Sequence, residues 1–137
     1  MVKNICTDLM ILSQKASPVT KDDLPIAMDL LETLKANAYR CVGMAANMIG
    51  VPKAIIAVNV QNISFVMLNP VITARLGRPY ETKEGCLCHK GERPVTRYET
   101  VEVSYKDLSM KQQKRRFSGY VAQIIQHGMD HLSGILI

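Results

Sequence analysis

The segment QHGMDHLSG, residues 126–134, sets His127 and His131 four residues apart. On a helix that spacing points two imidazoles at one place, where they can hold a single ion. The zinc-hydrolase pattern H-E-x-x-H has the same spacing, but it carries a glutamate after the first histidine, and that glutamate moves the protons. Here the position is Gly128. A pair of helical histidines is more often structural than ligating, so a metal site needs a third donor. The segment EGCLCH, residues 84–89, offers Cys86. One thiolate with two imidazoles suits a borderline or soft divalent ion such as zinc or iron(II). Three protein donors leave a fourth position for water, the layout of a catalytic site rather than a closed one. Cys88 keeps an alternative open. In a strand it faces the same way as Cys86, as either a buried thiol or a second thiolate that closes the site.

These residues need rigid elements to hold them. The pattern predicts a last helix that begins near Ser118, its N-cap, and buries Val121, Ile124, Ile125 and Leu132, with both histidines at the edge of that stripe. Near the other end, Thr20-x-x-Asp23 resembles a capping box, and Asp22 and Asp23 suit the positive end of a helix. Leu24, Ala27, Met28, Leu31 and Leu34 then share a face, so a helix is expected over about 21–38. Between the helices, AIIAVNV and ISFVMLNP read as a hairpin turning at Gln61 and Asn62. VITARL leads into a turn at Gly77, ETKEGCL follows it, and ETVEVSY alternates before a turn at Lys106 and Asp107. Short connections favour antiparallel pairing. The expected fold is α+β: antiparallel strands with an N-terminal helix and a C-terminal helix carrying the histidines.

The 137 residues suffice for one domain, expected to span 1–137, and their composition is that of an ordinary globular chain. Tryptophan is absent and there are eight methionines, so the core must be mostly aliphatic with flexible fillers. No uncharged stretch reaches membrane-span length, and Asp8 interrupts the apolar run near the N-terminus, which makes a poor signal peptide. A cytoplasmic location with reduced cysteines is expected, and no membrane association. Much of the net charge of +5 sits in KQQKRR, residues 111–116. No aromatic residue interleaves it, so it reads as a solvated turn and not as a specific nucleic-acid site. Nothing in the sequence fixes an oligomeric state.

Three segments, in order, resemble the motifs of peptide deformylases. CVGMAANMIG, residues 41–50, resembles their G-x-G-[small apolar]-A-A-x-Q-x-G. EGCLC resembles their E-G-C-L-S, and QHGMDHLSG their Q-H-E-x-D-H-L-x-G. GERPVTRYETVEV also looks like the strand that follows their second motif. The resemblance runs from the Thr20 helix to Ile137. It implies a metallohydrolase that removes formyl from the N-terminal methionine of new proteins, with N-terminal formyl-methionyl peptides as partners and proximity to the ribosome. It implies Cys86, His127 and His131 as ligands of one divalent ion, iron(II) in the family with zinc, nickel or cobalt as substitutes. Val42, Gly43 and Gly85 would lie beside the substrate backbone, the N–H of Leu87 would donate to the formyl oxygen, and Asp130 would anchor the site from behind.

The departures fall on the chemistry. Gly128 stands where the family has its proton-carrying glutamate, Met48 where it has the glutamine that helps hold the oxyanion, and Cys41 where it has a glycine. A missing general acid–base costs about 10²–10⁴-fold in rate, and one lost oxyanion donor about 10²–10³-fold. Weakened hydrolysis is therefore expected. The alternatives are a binding protein that uses the peptide groove, or a hydrolase with a substitute base. For that base, Asp130 lies about 200° round the helix from Gly128, Glu84 looks structural in the family, and His89 is a candidate on the loop. Gln123, one turn before His127, replaces an apolar lining residue and points either to a changed ligand preference or to solvent.

Overall fold

A computed structural model describes residues 1–88 and 90–135. A short helix α1 (Leu9–Leu12) is followed by α2 (Leu24–Ala36), five strands and a final helix α3 (Gly119–Leu132). The strands are β1 (Gly43–Ala45), β2 (Ile55–Val60), β3 (Ile63–Gly85), β4 (Glu92–Lys106) and β5 (Gln112–Ser118). They form one sheet in the order β1-β2-β3-β4-β5, each antiparallel to its neighbour. This is the expected α+β architecture, with one helix against each face of the sheet.

β2 shows why. Its alternate residues point to opposite faces, and both faces are covered. Ile56 and Val58 join Val101, Val103, Ile125 and Leu132 on the α3 side. Ile55 and Ala57 join Ala27, Leu30, Leu34 and Leu68 on the α2 side. A strand buried on both faces reads as an unbroken apolar run, as AIIAV does.

The helix start at Thr20 forms as the capping box requires. The Thr20 N–H donates to Asp23 Oδ2 at 2.9 Å and the Asp22 N–H donates to Thr20 Oγ1 at 3.3 Å. The first turn is a 3-10 turn over Lys21–Asp23, and Pro25 opens the α-helix proper. The buried stripe is Ala27, Leu30, Thr33 and Leu34, and Met28, expected inside, is exposed. Thr33 is tolerated inside because its hydroxyl donates to Asp29 O at 2.7 Å and accepts from the Lys3 N–H at 2.8 Å.

Three expectations about the strands fail. Gly77 does not end a strand: β3 runs through it for 23 residues. Its register against β4 slips at Leu68/Val71, Ile72/Ala74 and Leu76/Pro79. Gly77, at φ +82°, sits in the third of these bulges. A left-handed glycine serves a bulge as well as a turn, and local sequence cannot separate the two. The strand also stops at Gly85, short of the expected Leu87. KQQKRR is not a turn: from Gln112 it is the edge strand β5. Its apolar signal is confined to Phe117, which stacks on Phe65 at 5.6 Å between ring centroids. Lys114 and Arg116 instead pair with Glu102 of β4 on the open face. Charge along an edge also discourages further strand pairing.

The hairpin between β2 and β3 turns at Gln61 and Asn62 as expected, with Val60 opposite Ile63. Ser118 is the N-cap of α3 in backbone terms, but its hydroxyl pairs with Thr100 Oγ1 at 2.8 Å instead of capping. α3 is fixed further along by Gln126, buried, which accepts from the Tyr98 N–H and donates to the Tyr98 carbonyl, both at 2.8 Å. Among the described residues no helix is long and apolar enough to cross a membrane.

Candidate metal centre

Cys86, Cys88, His127 and His131 come together where the end of β3 meets α3. His131 is fully buried, and its Nε2 stands 3.0 Å from His127 Nε2. A ring nitrogen of His131 and the sulfurs of Cys86 and Cys88 all lie within 4.8 Å of one another. The two sulfurs are 3.3 Å apart. They share a side, but not through the strand pleat that the sequence suggested. Both lie in the turn beyond Gly85, and the turn brings them together.

The donor set fits a divalent ion. The Nδ1–H of His127 donates to Glu84 Oε1 at 2.7 Å, so Nε2 is the nitrogen that faces inward, and loss of its proton would free a lone pair for an ion. His131 Nδ1 is buried with no hydrogen-bond partner among the described residues. In neutral packing one imidazole Nε2–H can donate to the other at this distance, while the sulfurs beside them make the same group a donor set suited to a shared cation. Burial by itself would lower the His127 pKa, but the Cys86 sulfur and the Glu84 carboxylate outweigh it and push it up to about 9. The Cys88 thiol is lowered, chiefly by its contact with Cys86. Burial raises the Cys41 thiol.

Behind the histidines lies a network that the sequence did not announce. Arg97 of β4 is buried. It donates from Nε and Nη2 to the two oxygens of Glu84, at 3.1 and 2.7 Å, and from Nη1 to Asp130 Oδ2 at 2.7 Å. The Gln123 Nε2 donates to Glu84 Oε2 at 2.8 Å. Burial works to raise the Glu84 pKa, yet His127, Arg97 and Gln123 hold it down at about 2. Gln123 therefore points neither to solvent nor freely into a substrate pocket. Arg97 was missed because its partners lie on β3 and α3, far along the chain. The available signal was an arginine in the middle of a half-buried strand in a chain whose two acids beside the ligands, Glu84 and Asp130, carried structural expectations but no named partner. Neither acid is free to act as a substitute base, since each is bound to Arg97. His89 lies outside the described residues.

The opposite wall is apolar. Met48, in the 3-10 turn Ala46–Ile49, is buried with its sulfur 3.9 Å from Cys86 Sγ. Its neighbour Asn47 donates to the His131 carbonyl at 2.9 Å and so ties this turn to α3. Gly128 is buried, and a Cβ built on it would meet three Ile56 side-chain carbons at 3.1 Å. Ile56 packs into the space a side chain would use.

In front of the sulfurs and histidines lies a cavity of about 710 Å³. Val42, Gly43, Gly85, Leu87, Gln123 and Gly128 line it, so the structure gathers every residue expected beside the substrate. β1 borders it as an edge strand, paired among the described residues with β2 alone. Gly43 has no room for a side chain, because a Cβ there would lie 2.4 Å from Ile124 Cγ2. Its backbone can therefore press against α3 at the rim of the cavity.

The family model described as polypeptide deformylase matches residues 2–137. A peptide deformylase of Clostridium beijerinckii is 49% identical over 137 residues, covering all of both chains. One from Dictyoglomus thermophilum is 38% identical over 131 residues, covering 93% of this chain and 84% of that protein. Among solved structures, a Met-Ala-Ser-bound class I type b peptide deformylase from Acinetobacter baumannii superposes with a TM-score of 0.89 at 29% identity, covering 99% of this chain and 97% of that one. The enzyme from Thermotoga maritima gives 0.88 at 26% identity, covering 99% and 95%. With both its sequence and its fold matched over nearly their whole length, the chain belongs to the polypeptide deformylase family of metal-dependent hydrolases.

Proposed function

We propose that this protein is a cytoplasmic metalloprotein that binds N-terminal formyl-methionyl peptides of newly made proteins, near the ribosome, and hydrolyses the formyl group only weakly. Cys86, His127 and His131 hold the ion. Iron(II) is the family's metal, and zinc, nickel and cobalt have the same donors available to them. When bound, the ion supplies a Lewis acid that activates water and polarises the formyl oxygen.

The chain's own residues do the rest. The open edge of β1 at Val42 and Gly43 receives the peptide backbone as an added strand, and Gly85 borders it on the other side. The Leu87 N–H donates to the formyl oxygen. Glu84, held by Arg97 and Gln123, fixes the His127 ring with Nε2 inward. Hydrolysis also requires a group that takes a proton from water and returns it to the leaving amine. Gly128 has no atom that could do so, and the Met48 thioether has no hydrogen to donate to an oxyanion. The observation that carries the reading is this contrast: an intact cavity and donor cluster beside a wall in which Gly128 is filled by Ile56.

The same contrast favours peptide capture without cleavage as the second reading. One experiment separates the two. Protein purified anaerobically is assayed for metal content, for binding of a formyl-Met tripeptide and for its turnover. Bound metal, measurable binding and turnover far below that of an ordinary deformylase are expected. Turnover within tenfold of an ordinary deformylase would refute the weak-hydrolysis reading, and binding with no turnover at all would establish the capture reading.

A further inference from the structure

The family motif E-G-C-L-S ends here in cysteine, and the structure gives that change a place. Cys88 is buried, and its sulfur lies 3.3 Å from the sulfur of Cys86, a hydrogen-bonding distance for two thiols. Both sulfurs and a ring nitrogen of His131 fall within 4.8 Å of one another. His127 Nε2 is 3.0 Å from His131 Nε2. Two sulfurs and one imidazole thus form one group, and the second imidazole adjoins it through His131. A buried thiol that only filled space could point at any apolar neighbour, and this one points at a ligand.

We infer that Cys88 is a fourth protein ligand, so that the metal centre is a closed site of two thiolates and two imidazoles that prefers zinc to iron(II). The inference rests on the reading that Cys86, His127 and His131 hold the ion. Two sulfurs and two nitrogens form the donor set of structural zinc sites, in which protein atoms complete the coordination shell. Catalytic sites instead keep one position open for water or substrate. The surroundings agree with closure. Gly128 and Met48 provide neither a proton carrier nor an oxyanion donor beside the ion, and the thioether 3.9 Å from Cys86 keeps that side apolar. Bound in this way, the ion would link the turn after β3 to α3, and the weak hydrolysis proposed above would require one of the four ligands to leave it.

X-ray absorption at the zinc edge tests this on the full chain, reduced and loaded with zinc alone. The wild type is expected to show two sulfurs at about 2.3 Å and two nitrogens at about 2.0–2.1 Å from zinc. In Cys88→Ser the sulfur count should fall from two to one, with an oxygen or nitrogen in its place. A wild-type count of one sulfur would overturn the role of Cys88 while leaving Cys86, His127 and His131 as ligands. No sulfur at all, or no retained zinc, would overturn the three-ligand reading as well. The wild-type count decides the matter even if the variant does not fold.

Discussion

The two walls around His127 differ in kind. On one side Glu84, Arg97, Gln123 and Asp130 form a buried polar network with each named hydrogen bond at 3.1 Å or less. On the other, Met48, Gly128 and Ile56 present only apolar atoms. The first wall orients ligands and the second would be expected to move protons. Keeping the first while losing the second preserves a place for an ion without preserving its chemistry. A buried charged network half taken apart leaves an unpaired charge and is costly. An apolar wall can replace polar groups at little cost to folding, provided the shapes fit.

The most forceful way to break this comparison is to rebuild the second wall. Gly128→Glu with Met48→Gln restores both groups, Ile56→Ala removes the three carbons that crowd position 128, and Cys88→Ser opens the ion. The four together are expected to raise turnover of a formyl-Met tripeptide by about 10²–10⁴-fold, the range for a general acid–base. The gain should be much smaller if Cys88 is left in place. Equal turnover with and without Cys88 would mean that the ion was already open.

Breaking the first wall should cost stability instead. Arg97→Ala strands the buried Glu84 carboxylate, and denaturant unfolding should show a loss of about 3–5 kcal/mol. The pH dependence follows in the metal-free protein. Glu84 has its folded pKa depressed to about 2 from an ordinary 4.5. Its contribution is fully present above pH 4.5 and is lost as pH falls toward 2. Removing Arg97 should shift that loss to higher pH. An acid unfolding profile unchanged by the variant would show that Arg97 does not hold Glu84.

The smallest effect sharpens the contrast at a single position. Gly128→Ala gains about 0.5–1 kcal/mol of helix propensity, but the new methyl meets Ile56 at 3.1 Å. The two terms should nearly cancel. In an Ile56→Ala background all three contacting carbons are gone, so the clash is relieved and the gain should appear, as a coupling of about 0.5 kcal/mol or more in a double-mutant cycle. Strict additivity would mean that Ile56 does not fill the space at Gly128.

Much of this was legible from one end of the chain to the other. The capping box at Thr20, the hairpin at Gln61 and Asn62, and the α3 stripe carrying His127 and His131 are local patterns. Each is set by hydrogen bonds or side-chain periodicity within a few residues. The three motifs identified the family, and with it the general fold, because they report the same local requirements in the same order. Even the absence of a side chain at residue 128 was plain.

What only the tertiary structure decided are relations between distant residues. Gly77 could make a turn or a bulge, and pairing with β4 made it a bulge. KQQKRR has no apolar periodicity, and it became a strand because β4 offered an edge and Glu102 offered charge partners. Arg97 became the centre of the polar wall because Glu84 and Asp130 reach it from two other elements. Cys88 became a neighbour of the ligands through a turn and not through a strand pleat. Local sequence specifies elements by short-range sterics and hydrogen bonds. Partners across the sheet are chosen by packing, which depends on the whole chain at once.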